Sequence, residues 1–200
     1  MSQRPTVSEA DEILGGYFPA LDHGFVALVD YMGGDEAIEQ AARVSYGAGT
    51  RQVRERRALI RYLHRYEHTT PSEMVEFKFH CCMPIFVARQ WIRHRTASVN
   101  EMSGRYSILP TLFYTPKQSD VGLQSRTNRQ GRESSTIDSD VYSEMIARSR
   151  ELRKTATGLY NWLNEQDIAR ELARIDLPVS IYTQWYWKID LHNLFHFLSL

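Results

Sequence analysis

Residues 75–81 read Val-Glu-Phe-Lys-Phe-His-Cys, an alternation of apolar and polar side chains, and Pro84 follows three positions later. Strict alternation is the period of a half-buried β-strand, so these residues are predicted to form a strand with one face on the core. Proline suits the first position of a helix, where its missing N–H is not needed. A helix is therefore predicted from Ile85 to about Arg93.

The segments on either side mix both kinds of element without a strict strand–helix–strand order. Strands are predicted at 25–29, at 108–114 with an interruption at Pro110, and at 179–187. Helices are predicted at 35–44 with Asp35 as its cap and Gly47 and Gly49 after it, at 51–66, 140–165 and 167–175, and at 191–198 with Asp190 as its cap. This order favours an α+β fold with a mixed, partly antiparallel sheet packed with helices.

The whole chain, residues 1–200, is expected to form a single domain. Residues 1–23 have little periodicity and are predicted to be an arm. Residues 96–106 lack a period and are predicted to be a loop. Residues 116–139, rich in Ser, Thr, Gln, Gly, Asp and Arg, are predicted to be a mobile loop.

Composition and charge exclude several classes of protein. The hydrophobic share of 42% and charged share of 24% are ordinary globular values. Lys plus Arg and Asp plus Glu both number 24, which argues against a basic nucleic-acid coat and against binding to membranes by charge alone. The two cysteines are adjacent, no apolar run approaches the ~18 residues of a membrane span, and no leader opens the chain. We therefore expect a cytoplasmic protein with no membrane partner.

The chemistry concentrates in residues 89–95, Arg-Gln-Trp-Ile-Arg-His-Arg. Helical spacing places Gln90, Arg93 and His94 on one face, and a polar segment with more hydroxyl, amide and guanidinium groups follows through Tyr106. Only four of the cationic residues are lysines, and the arginine that dominates binds phosphate through two parallel hydrogen bonds. These residues therefore predict an anion site.

The order of residues adds a family resemblance. Arg93-His94-Arg95, seven residues, then Ser103 resembles the signature of the flavin-dependent thymidylate synthases, and the whole run from Arg89 to Tyr106 is similar to that family. The resemblance is good over residues 41–110 and 165–200 and weaker elsewhere. Its further stretches are Ala42–Ser45, His68–Glu73, Pro84–Arg89, Ala173–Pro178 and Asn193–Leu198.

The resemblance implies an enzyme that converts dUMP to dTMP, with a one-carbon unit from methylenetetrahydrofolate and electrons from NADPH through FAD. It also implies a homotetramer with active sites shared between subunits. No metal is expected, and with zero net charge no nucleic-acid partner is expected. The residues it assigns to FAD are Thr70, Arg93, His94, Arg95, Glu101, Asp190, Leu191, His192 and His196, with His68 close by. Those it assigns to dUMP are Gln90, Trp91, Ile92, Arg93, Glu101, Met102, Ser103, Gly104, Arg105 and Arg174.

Three alternatives from other classes stay open at this point. The pairs His64/His68 and His192/His196 have the i, i+4 spacing of metal ligands, which fits a metal-dependent hydrolase, but neither pair encloses a glutamate. Six arginines between 51 and 65 fit a nucleic-acid-binding helix, although a solvated face or a subunit contact explains them as well. Ser103 as a nucleophile would need an adjacent base. Cys81 or Cys82 could be the nucleophile of the unrelated flavin-free thymidylate synthases, but the alternating strand favours a small core residue at Cys81.

The sequence departs from the family pattern in two respects. Asp190 and His196 stand where asparagine can occur near the flavin, and both can still form hydrogen bonds. In the family pattern, an arginine that helps to ionise the uracil ring would directly follow Leu200, and a further helix would come after it. We therefore expect the chain to bind FAD and dUMP and to need that arginine for turnover. The alternative is a binding protein with impaired catalysis.

Overall fold

The computed structural model describes residues 4–45, 55–128 and 130–200. The helices within these ranges are α1 Ser8–Ile13, α2 Asp35–Val44, α3 Arg56–Arg65, α4 Thr70–Glu73, α5 Ile85–Trp91, α6 Ser139–Glu165, α7 Arg170–Ala173 and α8 Leu191–Leu198, with a 3-10 turn at Gln118–Asp120. The strands are β1 Tyr17–Ala20, β2 Gly24–Met32, β3 Glu76–Pro84, β4 Ala97–Glu101, β5 Gly122–Gln124, β6 Arg132–Thr136 and β7 Tyr182–Asp190. The predicted α+β class is confirmed.

Five strands form the main sheet in the order β1-β2-β3-β7-β4, and each neighbouring pair is antiparallel. The alternating segment that predicted a strand is β3, which lies at the centre of the sheet. Along β3 and β7, Cys81 is opposite Trp185 and Phe79 is opposite Trp187. The remaining two strands, β5 and β6, form a separate antiparallel pair.

The sheet buries one face beneath α5 and α8. Cys81, Met83, Trp185, Trp187 and Ile189 are buried there, and half-buried side chains of both helices pack on them. Cys81 is fully buried, as expected of a core residue. Fully burying a large apolar side chain contributes about 1.5–3 kcal/mol, and Trp and Phe bury more area than most, so these residues account for much of the stability of this core.

The start of α5 is fixed by the segment before β7. The backbone N–H groups of Ile85 and Phe86 donate to the carbonyl oxygens of Ile181 (2.9 Å) and Val179 (3.0 Å). Pro84 occupies the capping position just before the helix, with extended backbone angles. The first amides of a helix have no partner inside it, so this contact satisfies them and sets the direction of α5.

The structure corrects the predicted loop at 96–106. Residues 97–101 form β4, which pairs with residues 185–189 of β7. Ala97 and Val99 are half-buried while Ser98 and Asn100 are exposed, the alternation typical of a strand. The prediction was wrong because the segment carries only two apolar residues, too few to stand out without its partner.

Other boundaries differ as well. Residues 8–13 and 17–20 form α1 and β1 within the predicted arm, and β5 and β6 lie within the predicted loop at 116–139. Residues 108–114 provide only an isolated bridge from Phe113 to Ile181, since Pro110 has no N–H to donate. The strand expected at 179–187 lies at 182–190 instead. The helix expected at 167–175 is shorter and is α7. The N-cap of α2 is Gly34 and not the predicted Asp35. Gly47, Gly49 and the start of the helix expected at 51–66 lie outside the described residues.

Candidate functional site

The arginine-rich segment forms the turn between α5 and β4. The helix ends at Trp91, two residues earlier than predicted, and the N–H groups of Arg93 and His94 close the turn on the carbonyl oxygens of Gln90 (3.1 Å) and Trp91 (3.0 Å). This turn, residues 92–96, is called the arginine turn below. It lies at the edge of the main sheet, because β4 is the edge strand that follows it.

Aromatic contacts attach the arginine turn to α8. The ring of Phe197 stacks on Trp91 at 5.1 Å between centroids and meets the His94 imidazole edge-on at 5.0 Å. Trp91 also packs edge-on against Trp185 and Trp187. The Trp91 side chain, expected to contact dUMP, is half-buried and packs against the core, which attaches the turn to the sheet and α8.

The arginine turn presents cationic groups to solvent. Arg93 and Arg95 are both exposed, and within residues 4–45, 55–128 and 130–200 neither guanidinium has a carboxylate at ion-pair distance. By contrast, the guanidinium of Arg56 on α3 is bound to the carboxylates of Glu36 and Glu39. Two unpaired guanidinium groups on a rigid turn form a site that can bind phosphate.

Three of the residues expected to bind FAD, Asp190, Leu191 and His192, lie at the beginning of α8. Asp190 caps this helix: its carboxylate accepts from the backbone N–H of Asn193 (2.9 Å) and from the Asn193 side chain (2.6 Å). The N–H of Leu191 donates to the carbonyl oxygen of Val75 (2.8 Å). Asp190 was predicted as a cap, and the structure confirms that prediction.

A cavity of about 220 Å³ lies between α8 and the segment that joins α3 to α4. His68, Thr69, Ser72 and His192 are among its lining residues. Thr70, the first residue of α4, is exposed next to this lining, and His196 is exposed one turn along α8 from His192. The structure thus brings His68 and His192 together, and α8 connects them to His94.

The residues expected to bind dUMP form a second group beyond β4. Glu101 ends β4, and one of its carboxylate oxygens accepts a hydrogen bond from the buried Thr183 hydroxyl (2.7 Å). Met102 continues the pairing through its N–H, which donates to the carbonyl oxygen of Gln184 (2.8 Å). The Ser103 hydroxyl oxygen accepts from the backbone N–H of Arg105 (3.2 Å).

Arg174 reaches this second group from α7. A β-carbon added to Gly104 would lie 3.2 Å from Cδ of Arg174, so the arginine side chain crosses directly over this glycine. Residues 102–105 and Arg174 were expected to share a ligand, and they are neighbours in space although 70 residues separate them in sequence. Gln90 and Ile92 are both exposed at the end of α5.

Two residues of α7 belong to the same surface and were missed from the sequence. A guanidinium nitrogen of Arg170 donates to the carbonyl oxygen of Tyr106 (2.6 Å), and Glu171 lies 3.8 Å from Nε of Arg105. They hold α7 against residues 105–106. The spacing of Arg170 and Arg174, one helical turn apart, was the available signal.

The surroundings of Ser103 and Cys81 argue against either side chain acting as a nucleophile. Among the described residues, neither a histidine nor a carboxylate is hydrogen-bonded to Ser103. Burial raises the pKa of the Cys81 thiol to about 12, which leaves very little thiolate at neutral pH. Across the described ranges, no group of three or more His, Cys, Asp and Glu side chains is arranged to hold a metal ion.

Comparison with known proteins assigns the family. The family model described as "thymidylate synthase complementing protein" matches residues 27–200. The flavin-dependent thymidylate synthase of Treponema denticola is 57% identical over 183 residues, which cover 92% of this chain and 69% of that protein. The chain belongs to the flavin-dependent thymidylate synthase family.

A second relative and a solved structure are also similar to this chain. The flavin-dependent thymidylate synthase of Wolbachia pipientis is 55% identical, with 100% of this chain and 70% of that protein covered. The UMP/dUMP methylase PolB from Streptomyces cacaoi, solved with 5-Br UMP, superposes with a TM-score of 0.78 at 35% identity, over 90% of this chain and 77% of that one. In this chain, Arg93, His94 and Arg95 of the family signature lie on the arginine turn, and Ser103 follows β4. In the described part of the chain, no helix is both long and apolar enough to cross a membrane.

Proposed function

We propose that this chain methylates dUMP reductively to dTMP. The one-carbon unit comes from 5,10-methylenetetrahydrofolate and the electrons come from NADPH through FAD. The observation that carries the proposal is the pair of exposed guanidinium groups of Arg93 and Arg95, which have no carboxylate partner among the described residues. Their turn leads through β4 to Glu101 and the surface shared by Gly104 and Arg174.

The residues around α8 fit FAD. Arg93, His94 and Arg95 offer cationic and N–H groups suited to a pyrophosphate, and Thr70 offers a hydroxyl. The cavity lined by His68 and His192 provides a partly enclosed wall beside them. When bound, the flavin supplies the redox chemistry, and the protein supplies position and electrostatic field.

The residues beyond β4 fit dUMP. Arg105 and Arg174 can bind its phosphate together with the Ser103 hydroxyl and neighbouring backbone N–H groups. Uracil C5 is a weak nucleophile until negative charge can develop on the ring, and guanidinium groups near the ring oxygens stabilise that charge. Glu101, fixed by Thr183, lies between the two groups of residues and is proposed to contact both ligands.

The exposure of these residues supports a shared site. Arg93, Arg95, Glu101 and Arg105 lie on the surface of this one chain, where a second subunit could complete the binding surface. We propose a cytoplasmic homotetramer whose active sites combine residues of several subunits.

The test is a visible absorption spectrum of the purified protein before and after adding FAD and removing the excess. A retained flavin spectrum that shifts on addition of dUMP is expected. Arg95→Gln is expected to lose most of the retained flavin, whereas Arg150→Gln, an exposed arginine on α6, keeps it. Failure of the native chain to retain flavin, or equal retention by both variants, would contradict the proposed site.

A further inference from the structure

The longest helix carries an exposed apolar stripe that the function described above does not use. Along α6, seven residues spaced alternately by four and three positions lie on one side: Val141, Met145, Arg148, Leu152, Thr155, Leu159 and Trp162. Spacings of four and three keep residues on one face of a helix. This set is called the outer stripe below.

The outer stripe is distinct from the face that α6 buries. Ile146, Ala156 and Tyr160 are the buried residues of α6, and they lie on a neighbouring face. Val141, Leu152 and Trp162 of the outer stripe are 59%, 62% and 55% exposed. An ordinary surface helix needs only one apolar face, so a second one spread over six turns indicates a partner.

The outer stripe has the same pattern in both directions. From either end it reads apolar, apolar, polar, apolar, polar, apolar, apolar, with Leu152 in the middle. In an antiparallel pair of identical helices related by a two-fold axis, a patch must match its own reverse. We infer that α6 packs antiparallel against α6 of a second copy of this chain, with Leu152 near the axis.

Charge selects the antiparallel arrangement. Arg148 lies within the outer stripe, and its guanidinium is 2.6 Å from the Glu144 carboxylate of the same helix. A parallel pair would place the two Arg148 side chains side by side, where their like charges repel. In the antiparallel pair the two Arg148 side chains lie on opposite sides of the axis at Leu152. The apolar ends of the stripe then cover each other: Val141 and Met145 of one helix pack on Leu159 and Trp162 of the partner helix.

The area that the outer stripe alone would bury is too small for a stable interface, so neighbouring residues must contribute. A helix of 27 residues is about 40 Å long, so a strip ~10 Å wide buries roughly 400 Å² on each copy, about half of a standard interface. Ile168, Leu172 and Ile175 follow α6 directly and are exposed as well, which offers further apolar area at its C-terminal end. The inference shares with the proposed function only its partner, a second copy of the chain, and involves neither ligand.

The first test is the molar mass of Leu152→Glu in solution, measured by sedimentation velocity. Two carboxylates placed face to face near the axis are expected to reduce the mass of the assembly by half. The matched control is Ala147→Glu, which adds the same charge at an exposed position of α6 outside the stripe and is expected to keep the native mass. A native chain that is monomeric, or a folded Leu152→Glu variant of native mass, overturns the inference.

A second test does not depend on that variant folding. With a short thiol-specific bismaleimide, Leu152→Cys is expected to form crosslinked dimers and Val141→Cys is not, because in the antiparallel pair the two residues 141 lie about 30 Å apart. The native Cys81 and Cys82 are buried and provide a low background. Crosslinking of both variants would indicate a parallel pair, and crosslinking of neither would leave the stripe to some other partner; either result overturns the inference. Flavin retention by the native chain is measured separately, so the two proposals fail independently.

Discussion

Gly104 lies where residues 102–105 meet Arg174, and these residues together form the proposed dUMP site. A β-carbon there would lie 2.9 Å from Cδ1 of Leu109 and 3.2 Å from Cδ of Arg174. Leu109 cannot retreat easily, because it is buried and its N–H donates to the Tyr160 hydroxyl (2.8 Å). Glycine at this position therefore sets where the Arg174 side chain lies.

Gly104→Ala is expected to displace Arg174 and to weaken dUMP binding about tenfold, at an overpacking cost of roughly 1–3 kcal/mol. Flavin retention should be unaffected, because the arginine turn is not touched. The control is Gly158→Ala, since nothing lies within 4 Å of a β-carbon added there. Titration calorimetry with dUMP measures the effect, and an unchanged affinity would show that Arg174 does not depend on this contact.

Thr183 fixes the carboxylate of Glu101 from the buried side of the sheet. Replacing Thr183 by Val keeps the shape of the side chain but removes a hydrogen bond to a charged group, worth about 1.5–3 kcal/mol. Thr183→Val is therefore expected to lower the affinities for both FAD and dUMP about tenfold, whereas Thr183→Ser restores them. Fluorescence titration of flavin tests this; equal affinities in the Val and Ser variants would argue against the positioning role.

At the scale of elements, α8 links the flavin residues to the rest of the fold through its cap at Asp190. Asp190→Ala removes both hydrogen bonds to Asn193 and is expected to lower the free energy of unfolding by ~1 kcal/mol. Asp190→Asn keeps one acceptor for the backbone N–H of Asn193 and should lose much less. Urea unfolding followed by circular dichroism distinguishes them, and identical midpoints would mean that the cap contributes nothing to stability.

The sequence predicted those elements whose signal is local. β3 has strict alternation, α6 has more than three turns of helical spacing, and Asp190 and Pro84 are recognisable beside the helices they precede. β4 was missed because five mostly polar residues gain their strand conformation from hydrogen bonds to β7. Likewise, the sequence motif identified Arg93 and Arg95, but the position of Arg174 over Gly104 and the packing of Trp91 on the core depend on tertiary contacts that no local pattern contains.

At the scale of the whole molecule, Asp22 joins three distant segments. Its carboxylate accepts hydrogen bonds from the Tyr182 hydroxyl at the start of β7 and from the backbone N–H of Thr115 (2.8 Å). Burial alone would raise the pKa of Asp22, but these hydrogen bonds outweigh it and hold the pKa below its ordinary value near 3.8.

A carboxyl whose pKa is lower in the folded state stabilises the fold above its unfolded pKa, and this contribution is lost as the pH falls through the folded value. Native stability is thus expected to decline below about pH 4, and Tyr182→Phe should show a shallower decline because a main cause of the shift is gone. Urea unfolding at a series of pH values measures both slopes. Tyr186→Phe, an exposed tyrosine of the same strand, is the control, and equal slopes for the two variants would contradict this account.

The position of β7 between β3 and β4 determines the order in which the site can be assembled. Neither β4 nor the first turn of α5 has its hydrogen-bonding partner until residues 179–190 are available, and β3 until then has only β2 on its other side. The contacts of β7 and of the segment before it join parts of the chain about 100 residues apart. Such long-range pairing is slow to form, because a large loop must close before any contact compensates for the lost entropy. Newly synthesised chains are therefore expected to keep the arginine turn unformed until late, and pulse-labelling hydrogen exchange during refolding should show the amides of β4 and of the first turn of α5 becoming protected together with those of β7. Protection of β4 ahead of β7 would contradict this order.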